Sequence, residues 1–85
     1  MSYTLRIERR ALKDLERIPP PHHQRLKDAI GNLSENPRPA SAVKLTGRSA
    51  WRIRVGDYRV IYEIDDNNET LLIVVVGPRG DVYRR

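Results

Sequence analysis

Apolar positions change their spacing several times along the chain, and each change marks a predicted element. Tyr3, Leu5 and Ile7 alternate with Thr4, Arg6 and Glu8, the period-two pattern of a half-buried strand. From Arg9 the period lengthens. Ala11, Leu12, Leu15 and Ile18 recur every three or four residues against Arg10, Lys13, Asp14 and Arg17, which predicts a short amphipathic helix. Pro19-Pro20-Pro21 ends it, because a proline disfavours helical geometry in the residue before it. A second helix runs from about Pro21 to Glu35 with Leu26, Ala29, Ile30 and Leu33 on its apolar side, and Asn36-Pro37-Arg38-Pro39 stops it.

The remainder reads as strands: a brief Val43–Leu45 segment, then Trp51–Val55 and Tyr58–Ile64 flanking Gly56-Asp57. A two-residue loop with glycine first suits a type II′ hairpin. Thr70–Val76 is almost continuously apolar and is expected centrally, buried on both faces. Asp81–Arg84 follows Gly77-Pro78-Arg79-Gly80 as a short final edge strand. The order β-α-α-β-β-β(-β) predicts an α+β single domain over residues 1–85, two N-terminal helices packed on one face of an antiparallel sheet.

Counting outward from Gly56-Asp57 fixes the hairpin register. Val55 faces Tyr58, Arg54 faces Arg59, Ile53 faces Val60, Arg52 faces Ile61 and Trp51 faces Tyr62. Trp51, Ile53, Val55, Tyr58, Val60 and Tyr62 then share a core face, while Arg52, Arg54 and Arg59 share the other. Like charges directly opposed weaken a sheet. Two readings follow: arginines splayed on a solvated face, with Glu63 and Asp57 as counter-charges, or guanidinium forks converging on phosphate. Arg79, after the apolar strand, and Tyr83, four residues later, return to the same end of the sheet and extend the second reading. Such a site suits metal-free RNA cleavage, in which a base takes the 2′-OH proton and arginines hold the charge developing on the phosphate.

Composition narrows the choice. The formal net charge is +5, with a pI of about 10.1, which fits an acidic partner without requiring one. Cysteine is absent, so disulfides, thiolate metal sites and a cysteine nucleophile are excluded. The longest apolar run, Leu71–Val76, is too short to span a bilayer, and no signal-peptide pattern precedes the first strand. The chain reads as soluble and cytoplasmic, with no membrane partner. His22 and His23 read as exposed residues at the start of the second helix.

Four stretches, RRALKDLERIP, KLTG, WRIRVGDYRVIYEI and VGPRGDVYRR, resemble the RelE/ParE superfamily of toxins from type II toxin–antitoxin modules, the RelE-like branch more than the ParE-like one. The resemblance implies cleavage of mRNA in the ribosomal A site by 2′-OH attack, leaving a 2′,3′-cyclic phosphate and a 5′-OH, with no cofactor. It also implies an antitoxin that wraps the toxin as a hetero-oligomer. Carried over, Arg59 is the phosphate-binding arginine. Arg79 stabilises the transition state or assists the leaving group. Tyr83 orients or deprotonates the 2′-OH and stacks on a base. Arg52 and Arg54 stand where the best-known RelE form has lysines, and an arginine is a poor proton shuttle because its pKa stays above about 12. Lys44, Arg48, Arg84 and Arg85 are the further basic residues expected to touch RNA. Thr46 replaces an arginine of the family pattern, and Pro78 stands where some relatives have a histidine base. The same resemblance leaves room for a ParE-like inhibitor of DNA gyrase, or for an RNA- or ribosome-binding module without turnover.

Overall fold

The computed structural model describes residues 2–47 and 49–78. Strand β1 (Thr4–Ile7) leads into α1 (Arg9–Glu16) and α2 (His22–Glu35); β2 (Val43–Lys44), β3 (Ala50–Val55), β4 (Tyr58–Asp65) and β5 (Thr70–Pro78) follow. The five strands form one sheet in the order β1-β5-β4-β3-β2. Every pair counted outward from Gly56-Asp57 is present, and Ala50–Glu63 extends the ladder. Gly56 takes φ +60°, the left-handed value that the first turn position requires and that glycine adopts without strain.

Two strand placements differ from the sequence reading. The sheet is mixed, because β1 pairs in parallel with β5 from Thr4–Thr70 to Ile7–Ile73. The middle strand is β4, while β5 lies second from the edge. Leu71, Ile73 and Val76 of β5 are fully buried, whereas Leu72 and Val75 are half-buried. A bulge interrupts the β4–β5 ladder: Ile61 pairs with Val75 and Tyr62 with Ile73, so Val74 is the extra residue. The predicted strand Asp81–Arg84 lies outside the described residues.

The helices cover one face. Leu26, Ile30 and Leu33 of α2 and Ala11 and Leu15 of α1 bury against Ile53, Val60, Tyr62, Leu71, Ile73 and Val76. Ala50 and Ile61 are also buried, but the register puts them on the opposite face. The histidines are half-buried rather than exposed. His23 Nδ1 lies 2.8 Å from the Leu15 carbonyl oxygen, which also accepts from the Ile18 N–H at 3.1 Å, so the contact ties α2 to the end of α1. The His22 ring packs on Tyr58 at 5.4 Å.

A polar cluster ties the loop after α2 to the β4–β5 turn. Arg38 donates to both oxygens of Asp66, at 3.3 and 2.9 Å, and the Tyr3 hydroxyl donates to the same carboxylate at 2.7 Å. The guanidinium also sits 5.3 Å from the Trp51 ring centroid, within cation–π range. Next to it, the Tyr62 hydroxyl donates to the Pro37 carbonyl at 2.7 Å. Burial pushes the Tyr62 phenol up to about 12, so it remains a neutral donor. The Arg38 hydrogen bond, then that of Tyr3, hold the Asp66 carboxyl below its usual pKa.

A depressed carboxyl pKa stabilises the fold above the unfolded value of about 4 and loses that contribution as pH falls through the folded one. Asp66→Asn is therefore expected to be less stable than the wild type at pH 7. Urea unfolding as a function of pH should show the two converging as pH falls through the lowered pKa of the folded-state carboxyl, where the wild-type group is protonated too.

Candidate functional site

Alternation along the hairpin builds the site. With Ile53, Val55, Tyr58, Val60 and Tyr62 turned toward the helices, the register sends Arg52, Arg54 and Arg59 to the face that no helix covers among the described residues, called the uncovered face below. Arg54 and Arg59 are direct cross-strand partners, and Arg52 pairs with Ile61 on the same face. The three differ in setting: Arg54 is exposed, Arg52 is half-buried, and Arg59 is only 6% exposed. Nε of Arg52, and Nε and Nη1 of Arg59, are shut off from solvent. Burying a guanidinium costs free energy, and setting a second cation opposite adds to the cost. The floor beside these cations is apolar: Ile61 is buried and Val75, its β5 partner, is half-buried.

The β4–β5 register brings the end of β5 to the same place. Arg59 pairs with Gly77, and Tyr58 with Pro78. Arg79 therefore follows directly on the residue that ends β5 beside the hairpin turn. Arg79, Tyr83, Arg84, Arg85 and Arg48 themselves lie outside the described residues. Lys44 is exposed on edge strand β2 opposite Trp51, which assigns it to the helix side; Val43 is the β2 residue that pairs with Arg52. Of the basic residues singled out in the sequence, the structure thus brings together Arg52, Arg54 and Arg59 and sets Lys44 apart.

Sequence reasoning missed two features. Arg6 shares the uncovered face, since it pairs with Leu72, the partner of Glu63. Its alternation with Leu5 and Ile7 shows an outward residue, but only the parallel β1–β5 pairing says what it faces. The second is a groove of about 220 Å³ between α2 and β3, lined by Ala29, Leu33, Pro39, Ile53, Arg54 and Val55 among others. It opens because β2 pairs with β3 only at Trp51 and Arg52. Among the described residues no helix is long and apolar enough to cross a membrane.

A family model described as the ParE toxin of the type II toxin–antitoxin system parDE matches residues 5–83. The chain belongs to this family of toxins from type II toxin–antitoxin systems. Its relatives place it on the RelE-like side. It is 36% identical to toxin RelG of Mycobacterium tuberculosis (strain ATCC 25618 / H37Rv) over an 87-residue alignment spanning all of both chains. It is 30% identical to the mRNA interferase toxin RelE of Escherichia coli (strain K12), over 98% of this chain and 92% of that protein. The fold superimposes on a chain of the archaeal RelE–RelB complex from Pyrococcus horikoshii OT3 with a TM-score of 0.84 and 31% identity, over 95% and 99% of the two chains.

Opposed like charges give a stability test independent of activity. Arg54→Thr replaces an exposed cation with a good strand former and is expected to raise unfolding free energy by a few tenths of a kcal/mol. Chemical denaturation measures this, and a clear loss of stability would mean that Arg54 supports the fold.

Proposed function

We propose that this toxin is an endoribonuclease that cuts mRNA in the ribosomal A site and so stops translation. The observation that carries the proposal is the Arg54–Arg59 pair on the uncovered face, with Arg59 buried and Arg54 exposed. Two permanent cations set against each other gain stability when an anion arrives between them, and guanidinium forks match phosphate oxygens bidentately. The kinship with an E. coli protein named mRNA interferase toxin supports RNA as the source of that phosphate.

In the proposed reaction Arg59 and Arg54 hold the scissile phosphate, with Arg52 beside them. The 2′-OH attacks phosphorus as its proton passes to a base, a role assigned to Tyr83. The P–O5′ bond breaks and the departing 5′-oxygen takes a proton from an acid, giving a 2′,3′-cyclic phosphate and a 5′-OH end. Arg79 neutralises charge on the equatorial oxygens or on the departing 5′-oxygen. The guanidiniums supply the charge stabilisation that divalent ions supply in other nucleases, so the mechanism is metal-independent. Arginines at positions 52 and 54 bind well but shuttle protons poorly, which places the proton transfers on Tyr83. Lys44, Arg48, Arg84 and Arg85 are further contacts to RNA, Lys44 from the helix side of the sheet edge.

A cognate antitoxin is the proposed protein partner, as the RelB complex of the archaeal neighbour suggests. The open edge of β3 beyond Arg52 and the groove beside α2 suit an extended or helical segment of that partner. The family model's ParE description favours a second reading, inhibition of DNA gyrase on the same fold, which would leave mRNA intact and produce DNA damage.

Brief induction in cells followed by mapping of mRNA 5′ ends separates these readings. Wild-type toxin should give in-frame cuts inside translated codons. Arg79→Ala and Tyr83→Phe should each lower cleavage by about 10²–10⁴-fold, as loss of electrostatic or acid–base groups does, with unchanged circular dichroism. If both variants remain fully toxic, the roles given to these residues are wrong. Uncut mRNA together with gyrase-linked damage would establish the second reading.

A further inference from the structure

The uncovered face does not end at the arginines. Along β4 its outward residues run Arg59, Ile61, Glu63 and Asp65. At the end remote from the Gly56-Asp57 turn lies a groove of about 420 Å³, lined by Arg6, Ser49, Glu63, Thr70 and Leu72 among others. Arg6 pairs with Leu72 and Leu72 with Glu63, so an acid and a base flank one apolar residue from the two neighbouring strands. With strands about 4.8 Å apart, the Cα atoms of Arg6 and Glu63 stand about 10 Å apart across Leu72. Leu72 is half-buried and forms the floor; Arg6 and Glu63 are exposed and form the walls. Glu63 lies four residue steps beyond Arg59, about 13 Å along the strand.

We propose that this groove is a base-reading subsite that takes a guanine of single-stranded RNA close to the phosphate held by Arg54 and Arg59. The proposal rests on the ribonuclease reading. A carboxylate only accepts hydrogen bonds and repels phosphate, so Glu63 and Asp65 make this end unsuited to the RNA backbone. The Watson–Crick edge of guanine carries two adjacent donors, N1–H and N2–H, which one carboxylate accepts together. Adenine and cytosine set a donor beside an acceptor there, and uracil sets one donor between two acceptors. Arg6, on the other wall, donates to guanine O6 and N7, the commonest guanine contact of arginine. The Leu72 side chain packs against the face of the base, as apolar side chains do where unstacked RNA bases are read. The face is thereby divided: phosphate at the arginine end, base edge at the acidic end, and the buried Ile61 between them.

Maps of mRNA 5′ ends for the wild type, Glu63→Gln and Arg6→Gln, each checked for folding by circular dichroism, test this. The expected wild-type map shows guanine enriched at one fixed position beside the cut. Glu63→Gln should reduce that enrichment at least about tenfold, the discrimination of one bidentate base contact, and Arg6→Gln should relax it in the same direction. Cuts without guanine enrichment in the wild type, or with enrichment unchanged in both variants, would overturn the subsite and leave the ribonuclease reading intact. Absence of cuts in the wild type would overturn the ribonuclease reading and the subsite with it.

Discussion

The side-chain alternation of one hairpin governs the rest of this molecule. Gly56-Asp57 closes the β3–β4 ladder in a single register, and a one-residue slip would exchange its two faces. In the register that forms, Ile53, Val60 and Tyr62 enter the core under α1 and α2, and Arg52, Arg54 and Arg59 necessarily emerge on the other side. Core and charged face are thus two consequences of one pairing. The apolar residues cannot be buried without setting Arg54 against Arg59.

Around this hairpin the other elements act as supports. The Arg38–Asp66–Tyr3 cluster fastens the loop after α2 to the β4–β5 turn, and Tyr62 reaches from the core to Pro37. These contacts hold the helix side of the sheet, while among the described residues no helix covers the opposite side. Parallel pairing of β1 with β5 widens the uncovered face and adds Arg6 to it. The bulge at Val74 shifts the β4–β5 register just after Ile61, between the arginine end and the acidic end.

The hairpin was legible in the sequence because its information is local: a two-residue turn and strict alternation on both sides. Both helices were legible from their periodicity and the prolines that bound them. The partner of β1 was not, since Tyr3–Glu8 shows that one face is buried but not which strand lies alongside. The apolar run Thr70–Val76 suggested burial on both faces, whereas the helices cover only one and the other is partly screened. His23 looked like a surface residue because its role, meeting the Leu15 carbonyl, depends on how the chain turns at the prolines. Arg38 gave no signal, as its partner Asp66 is 28 residues away. Of the candidate site, Arg52, Arg54 and Arg59 followed from counting. Glu63 looked like a mere counter-charge until the β5 register set it across Leu72 from Arg6.

The central claim is that Arg54 and Arg59 repel each other in the free protein and are reconciled by a phosphate. A double-mutant cycle with Arg54→Thr and Arg59→Thr measures the pair directly, through unfolding free energies with and without a 2′-O-methyl oligoribonucleotide that cannot be cleaved. The account predicts unfavourable coupling in the free protein that becomes favourable with the oligonucleotide, and loss of oligonucleotide stabilisation when either arginine is removed. Coupling near zero in both conditions, with the double variant stabilised as much as the wild type, would contradict it.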